Sequence, residues 1–230
     1  MQEILSESLF LGMTVSIIGY EIGLLLKKRF KKAIFNPLLI AIIFVMLFLK
    51  GFGVSYEKYN EGAKYLSYLL TPATVCLAVP LYEQLELLRK NVKAILLGIL
   101  SGVLASLGSV LFLSFLFKLN HEQYVTLLPK SITTAIGMGV SEELGGIVTI
   151  TVAVIIVTGI LGNVMAEAIC KWFKIEEPIA KGTALGTAAH AIGTARAIEM
   201  GEIEGAMSGL AIAVAGLMTV IGASVFAQFL

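Results

Sequence analysis

Six long apolar stretches, 9–26, 33–49, 65–82, 94–117, 147–172 and 205–229, constrain this chain more than any other feature. Each reaches or approaches the roughly 17–25 residues that a helix needs to cross the hydrocarbon core of a bilayer. A backbone in hydrocarbon must satisfy its own polar groups, and runs of this length do so as helices. The expected fold is therefore an all-α polytopic membrane protein. Composition points the same way. The chain is 57% hydrophobic and 14% charged, where soluble domains carry about 25% charge. A net charge of +1 leaves no electrostatic footprint for nucleic acid. Cys76 and Cys170 stand far apart, with no CxxC and no metal-ligand spacing. No HExxH, GxSxG, phosphate-loop or dinucleotide motif occurs in a suitable context, so neither an enzyme, a metal nor a cofactor is expected.

Two further stretches, 125–141 and 182–200, are rich in Gly, Ala, Ser and Thr and carry Lys130, His190 and Arg196. Such sequence suits backbone that meets protein or a wet cavity at membrane depth, not lipid. If each dips in and returns, the chain has six full spans and two re-entrant or broken half-helix elements. If each crosses, it has eight. Basic residues near span ends stay in the cytoplasm. The cluster Lys27, Lys28, Arg29, Lys31 and Lys32 fixes the end of the first span inside and puts the N-terminus outside. The six-span reading then places eleven basic residues in cytoplasmic loops and four in outer ones, and is preferred on that ground. The location expected is the cytoplasmic membrane of a bacterium. The chain reads as one integrated membrane domain, with 1–124 as a four-helix scaffold and 125–230 as a repeat region.

Residues 131–162 align without gaps on 191–222, with eight of 32 positions identical. Each unit (125–172 and 182–229) orders a small-residue half helix, an acidic turn, a glycine and a long apolar span. Under the six-span reading they enter from opposite sides, an inverted repeat of the kind that builds many secondary transporters. Lys130 and Thr134 stand four residues apart, as do His190 and Thr194, a spacing that shares one helical face. Ser131 and Thr133 add hydroxyls, Gly193 permits close approach and Arg196 adds a fixed cation. With the partial positive charge of half-helix N-termini, these residues describe a small cavity for a small organic anion.

Each residue also has a plainer reading. Lys130 would snorkel from a helix end, His190 would bond a neighbouring carbonyl, and the small residues would serve tight helix packing. Arg196 is harder to dismiss, because an unpaired cation in a membrane is costly. In the third span, Thr71, Pro72 and Thr74 belong to a proline-kinked segment that either packs or lines the site. Asn163 and Glu167 share a face of the fifth span. Asn163 is a candidate lining residue, and Glu167, like His190, a candidate proton carrier.

At these residues the chain resembles the LrgB/CidB family of bacterial membrane proteins. The resemblance runs through Asn36-Pro37-Leu38-Leu39, Thr71-Pro72-Ala73-Thr74-Val75, Ala78-Val79-Pro80-Leu81-Tyr82 and Leu128-Pro129-Lys130-Ser131-Ile132-Thr133-Thr134. It continues through Gly145-Gly146, the stretch from Gly186 to Arg196 that contains His190-Ala191-Ile192-Gly193-Thr194-Ala195, and Glu204-Gly205-Ala206-Met207-Ser208. Ala135 stands where the family usually has proline. The resemblance implies two competing functions. One is transport of small monocarboxylates (glycolate, glycerate, lactate or pyruvate), as in the plastidial glycolate/glycerate transporter, whose C-terminal part is related. The other is non-transporting regulation of a holin-like pore and of murein hydrolase activity. Paired cationic half helices favour transport by alternating access. The partners expected are the lipid bilayer, a small organic anion and a LrgA/CidA-like membrane protein. Association with further copies of the chain is left open.

Overall fold

A computed structural model describes residues 10–30, 35–69, 72, 76 and 78–230. The described residues are helical, with turns and short connections between helices. They fall into two compact units, residues 1–76 and 77–230.

In the first unit, α1 (Leu11–Phe30) packs against α2 (Pro37–Phe52) and α3 (Tyr56–Ser67). The cause is a face of small residues on α1, Gly12, Ser16, Gly19 and Gly23. A Cβ at Gly23 would stand 2.6 Å from the Cα of Pro37, so the two backbones touch there. Ser16 Oγ and the Tyr59 hydroxyl lie 2.8 Å apart across the α1–α3 contact. Asn36 caps α2, its side-chain oxygen accepting from Leu38 N and Leu39 N at 2.8 and 3.2 Å, with Pro37 as the first helical residue. The expected 33–49 span is thus a 16-residue helix, about 24 Å long. The middle of the expected 65–82 span, with Thr71 and Thr74, lies outside the described residues, as do Glu3, Glu7, Lys31 and Lys32. Pro72 is described, in a helical conformation and exposed.

The second unit holds α4 (Ala78–Glu83), α5 (Leu85–Phe117), α6 (His121–Leu127), α7 (Thr134–Glu143), α8 (Val148–Trp172), α9 (Pro178–Met200) and α10 (Glu202–Phe226). Helices α5, α8 and α10, the last with its terminal turn to Phe229, are long and apolar enough to cross a membrane. They match the expected spans at 94–117, 147–172 and 205–229, with Ile147 as the residue that precedes α8. Leu97, Phe112, Leu161, Leu217 and Ile221 are exposed on them, as lipid-facing helices require. The core is a size match. Ile95, Ile99, Val103, Leu107 and Val110 recur every three to four residues on α5, and meet Met207, Ala211, Ala215 and Ala223 of α10. Helix α9 packs against α5, α8 and α10. It comes closest to α10, where a Cβ at Gly186 would meet the Ser208 carbonyl and the Ala211 methyl.

The two Gly/Ala-rich stretches are built differently. The first is two short helices, α6 and α7, joined by a turn through Pro129 and Lys130. Proline has no N–H to continue α6, and Lys130 N and Ile132 N close the turn on Leu127 O and Pro129 O. Helix α7 begins only at Thr134, with extended Thr133 before it. Lys130 and Thr134 therefore do not share a helical face, a departure from the spacing argument. A buried hydroxyl network anchors this region: Thr151 Oγ1 donates to Thr126 O at 2.9 Å and lies 2.7 Å from Ser141 Oγ, and Ile147 N donates to Thr126 Oγ1 at 2.8 Å. The second stretch, α9, is two helical segments that meet at a break at Ala189 (φ −134°, ψ 17°) and His190 (φ 41°, ψ −140°).

Candidate functional site

The break in α9 is made by residues that sequence reasoning assigned to ligand. His190 takes a positive φ that L residues rarely adopt, at a cost of about 1–3 kcal/mol. Its ring is buried, 3% exposed, and Nε2 donates to Ile155 O at 3.0 Å. Thr194 Oγ1 lies 3.0 Å from His190 O and 2.7 Å from Ser208 Oγ, tying the break to α10. Asn163 Nδ2 donates to Ile192 O at 2.7 Å. Two glycines on α8 make room: a Cβ at Gly159 would stand 2.8 Å from the imidazole, and one at Gly162 would collide with the Ala189 methyl. Gly193 has no room either, its Cβ position lying 2.7 Å from Leu185 O. His190, Thr194 and Asn163 thus satisfy and position backbone. For His190 the plainer reading, a bond to a neighbouring carbonyl, is the one the geometry realises.

Arg196 is held by two carboxylates, Glu167 of α8 and Glu199 one turn further along α9. Its charge is matched, and Glu167 is engaged in the same contact. A second pocket of about 520 Å³ adjoins this cluster and is lined by Glu167, Lys171, Lys174, Glu176, Lys181 and Glu204 among others.

The larger cavity lies elsewhere. A groove of about 870 Å³ runs between α5 and α8 along the first half of α9. Helix α5 lines it with Asn91, Gly98, Ser101, Gly102, Ala105, Ser106 and Ser109, and α9 with Ala180, Thr183, Ala184, Thr187 and Ala188. Lys130 and Ser131 reach it from the turn before α7. Lys130 Nζ donates to Ser106 Oγ at 3.1 Å and Ser131 Oγ at 3.0 Å, and the two hydroxyls are 3.1 Å apart. No carboxylate pairs with this ammonium among the described residues.

The expected residues are therefore divided. Lys130 and Ser131 stand together on the groove. Thr133 and Thr134 are half-buried at the start of α7 and do not line it. His190, Gly193 and Thr194 sit at the break, with Asn163 facing them, and Arg196 with Glu167 lies beyond. Ser106, Thr183 and the small-residue stripe of α5 were missed, although a signal was present. Gly98, Ser101/Gly102, Ala105/Ser106 and Ser109 recur every three to four residues, a helical face legible within an apolar run. Among the described residues no group of three or more His, Cys, Asp or Glu side chains is placed to hold a metal ion.

Comparison with known proteins gives one consistent answer. Residues 16–229 match the LrgB-like family. Proteins named antiholin-like protein LrgB from Bacillus mycoides (strain KBAB4), Bacillus cereus (strain B4264) and Bacillus anthracis (strain CDC 684 / NRRL 3495) are each 39% identical over 222 residues. The alignment covers 96% of this chain and 96% of each relative. No solved structure matches.

The break makes a stability prediction. Asn163→Leu keeps the bulk of the side chain and removes the donor to Ile192 O. Losing one hydrogen bond of this kind costs about 0.5–1.5 kcal/mol, so the variant should melt measurably earlier in detergent. An unchanged melting temperature would show that the break does not depend on this bond.

Proposed function

This chain belongs to the LrgB-like family, and we propose that it acts as an antiholin-like membrane protein. In this role it restrains a small LrgA/CidA-like holin-like partner in the bacterial cytoplasmic membrane and thereby holds back murein hydrolase activity. The observation that carries the proposal is the likeness to proteins named antiholin-like along 96% of both chains. The fold suits the role, because long helices with exposed apolar flanks and an open groove offer surface to other helices in the membrane.

A second reading, carriage of small monocarboxylates, keeps one specific support: an ammonium on a groove with only hydroxyl partners. The relatives' shared name supports the first reading and says nothing of transport. Arg196, neutralised by Glu167 and Glu199, adds nothing to the second.

The six-span topology, with its inverted repeat and outer N-terminus, forms part of the proposal. It rests on Lys27, Lys28 and Arg29 closing α1 and on the basic connection between α8 and α9. In a cysteine-free background, a cysteine at exposed Glu176 should label from the cytoplasm and one at exposed Glu143 from outside. The reverse pattern, Glu176 labelled from outside and Glu143 from the cytoplasm, replaces six spans with eight and makes the repeat parallel.

Co-expression tests the first reading. A LrgA/CidA-like protein from the same genome should make cells leak dye and release murein hydrolase activity when expressed alone. Adding this chain should reduce both several-fold, and equal leakage with and without it removes the antiholin role. Uptake tests the second. Proteoliposomes should accumulate labelled glycolate, lactate or pyruvate saturably, and Lys130→Ala should weaken uptake roughly 10- to 100-fold, the worth of a charge-assisted hydrogen bond. Absence of saturable uptake with the partner present discards the carrier.

A further inference from the structure

The groove is shaped for something longer than a small carboxylate. Its α5 wall extends from Asn91 to Ser109, about 27 Å at 1.5 Å per residue, close to the thickness of a bilayer's hydrocarbon core. The α5 and α9 faces that line it are small throughout its centre: Gly98, Gly102 and Ala105 on one, Ala180, Ala184 and Ala188 on the other. Small residues let a second backbone approach closely, and this is how helices associate where lipid removes the hydrophobic drive. Two groups in the groove need something the described residues do not supply. Lys130 Nζ has hydroxyl partners and no counter-charge. Thr183 is 7% exposed, and its hydroxyl has no hydrogen-bond partner among the described residues. A helix laid along the groove would cut Lys130 off from water, and an enclosed ammonium without an anion is costly. The occupant must therefore bring a carboxylate.

We infer that this groove seats a transmembrane helix of the holin-like partner, one that presents an Asp or Glu to Lys130. The inference rests on the antiholin reading and specifies its interface: α5, the first half of α9 and the turn that carries Lys130. An anionic carboxylate from the partner would complete the Lys130–Ser106–Ser131 cluster, and the partner's backbone would pack on exposed Gly98, Ala105 and Ala184.

Photocrosslinking tests it in the full-length chain, co-expressed with the LrgA/CidA-like protein. A photoreactive residue at Ala105, Ser109 or Ala184 should form adducts with the partner, and one at Leu97 or Phe112, on the exposed apolar flank of α5, should not. Lys130→Glu should reduce co-purified partner at least tenfold, and changing the facing carboxylate of the partner to Lys should restore it. Ala105→Trp fills the groove while keeping the Lys130 charge and should reduce co-purification to a similar degree. This separates loss of docking from misfolding of the Lys130 variant. Adducts only from Leu97 and Phe112, with normal co-purification, overturn the groove assignment and leave the antiholin reading standing. Adducts of twice the chain's own mass assign the groove to a second copy and overturn it as well. Absence of any co-purification, with leakage unrestrained, sinks both.

Discussion

A helix that breaks in apolar surroundings must find new partners for the backbone it frees, because no water is there to take them. Around Ala189–His190 three side chains hold the break in place, one from α8 and two from α9 itself. Asn163 reaches Ile192 O, Thr194 reaches His190 O, and His190 reaches Ile155 O. The bonds of Asn163 and His190 tie α8 to α9, and Thr194 extends the set to Ser208 of α10. The break is thus what locks α8, α9 and α10 into one body. Gly159 and Gly162 follow from it, since any side chain there would occupy the space of the imidazole or the Ala189 methyl.

The same break sets the direction of α9 before it. Residues 178–188 run between α5 and α8 and line the groove, while those after the break turn toward Arg196 and its two carboxylates. Cation and threonine recur in both repeat units, yet they do different work. Lys130 is left on a cavity, whereas His190 is consumed in holding backbone. Repetition in sequence records a common local pattern here, and the neighbours decide its use.

The long helices were legible because an apolar run of about 24 residues has few alternatives to a helix. The broken nature of 182–200 was legible too, from its Gly, Ala and Thr content. The point of fracture was not, since neither Ala189 nor His190 is a residue that breaks helices by itself. Tertiary bonds from Asn163 and Ile155 select it. The Lys130–Thr134 pairing failed because four-residue spacing means one face only inside a helix, and Pro129 ends that helix first. Half of Arg196's neutralisation was visible as Glu199 three residues on. The other half, Glu167, lies 29 residues away in sequence and needed the fold. The groove stripe on α5 was readable but masked, because Leu, Ile and Val on the other faces dominate any average over the run.

One ammonium limits what the groove can do. A small carboxylate and a partner's carboxylate would make the same bonds to Lys130, Ser106 and Ser131, so they exclude each other at this point. They differ in what becomes of the rest of the cavity. A small anion touches only the end where Lys130 sits and leaves the small-residue faces of α5 and α9 facing lipid or water, where glycine and alanine gain nothing over leucine. A helix uses their whole length, and close backbone approach is what such residues offer. The small-residue lining from Gly98 to Ser109 therefore weighs toward a protein occupant, and Lys130 toward one that carries a negative charge.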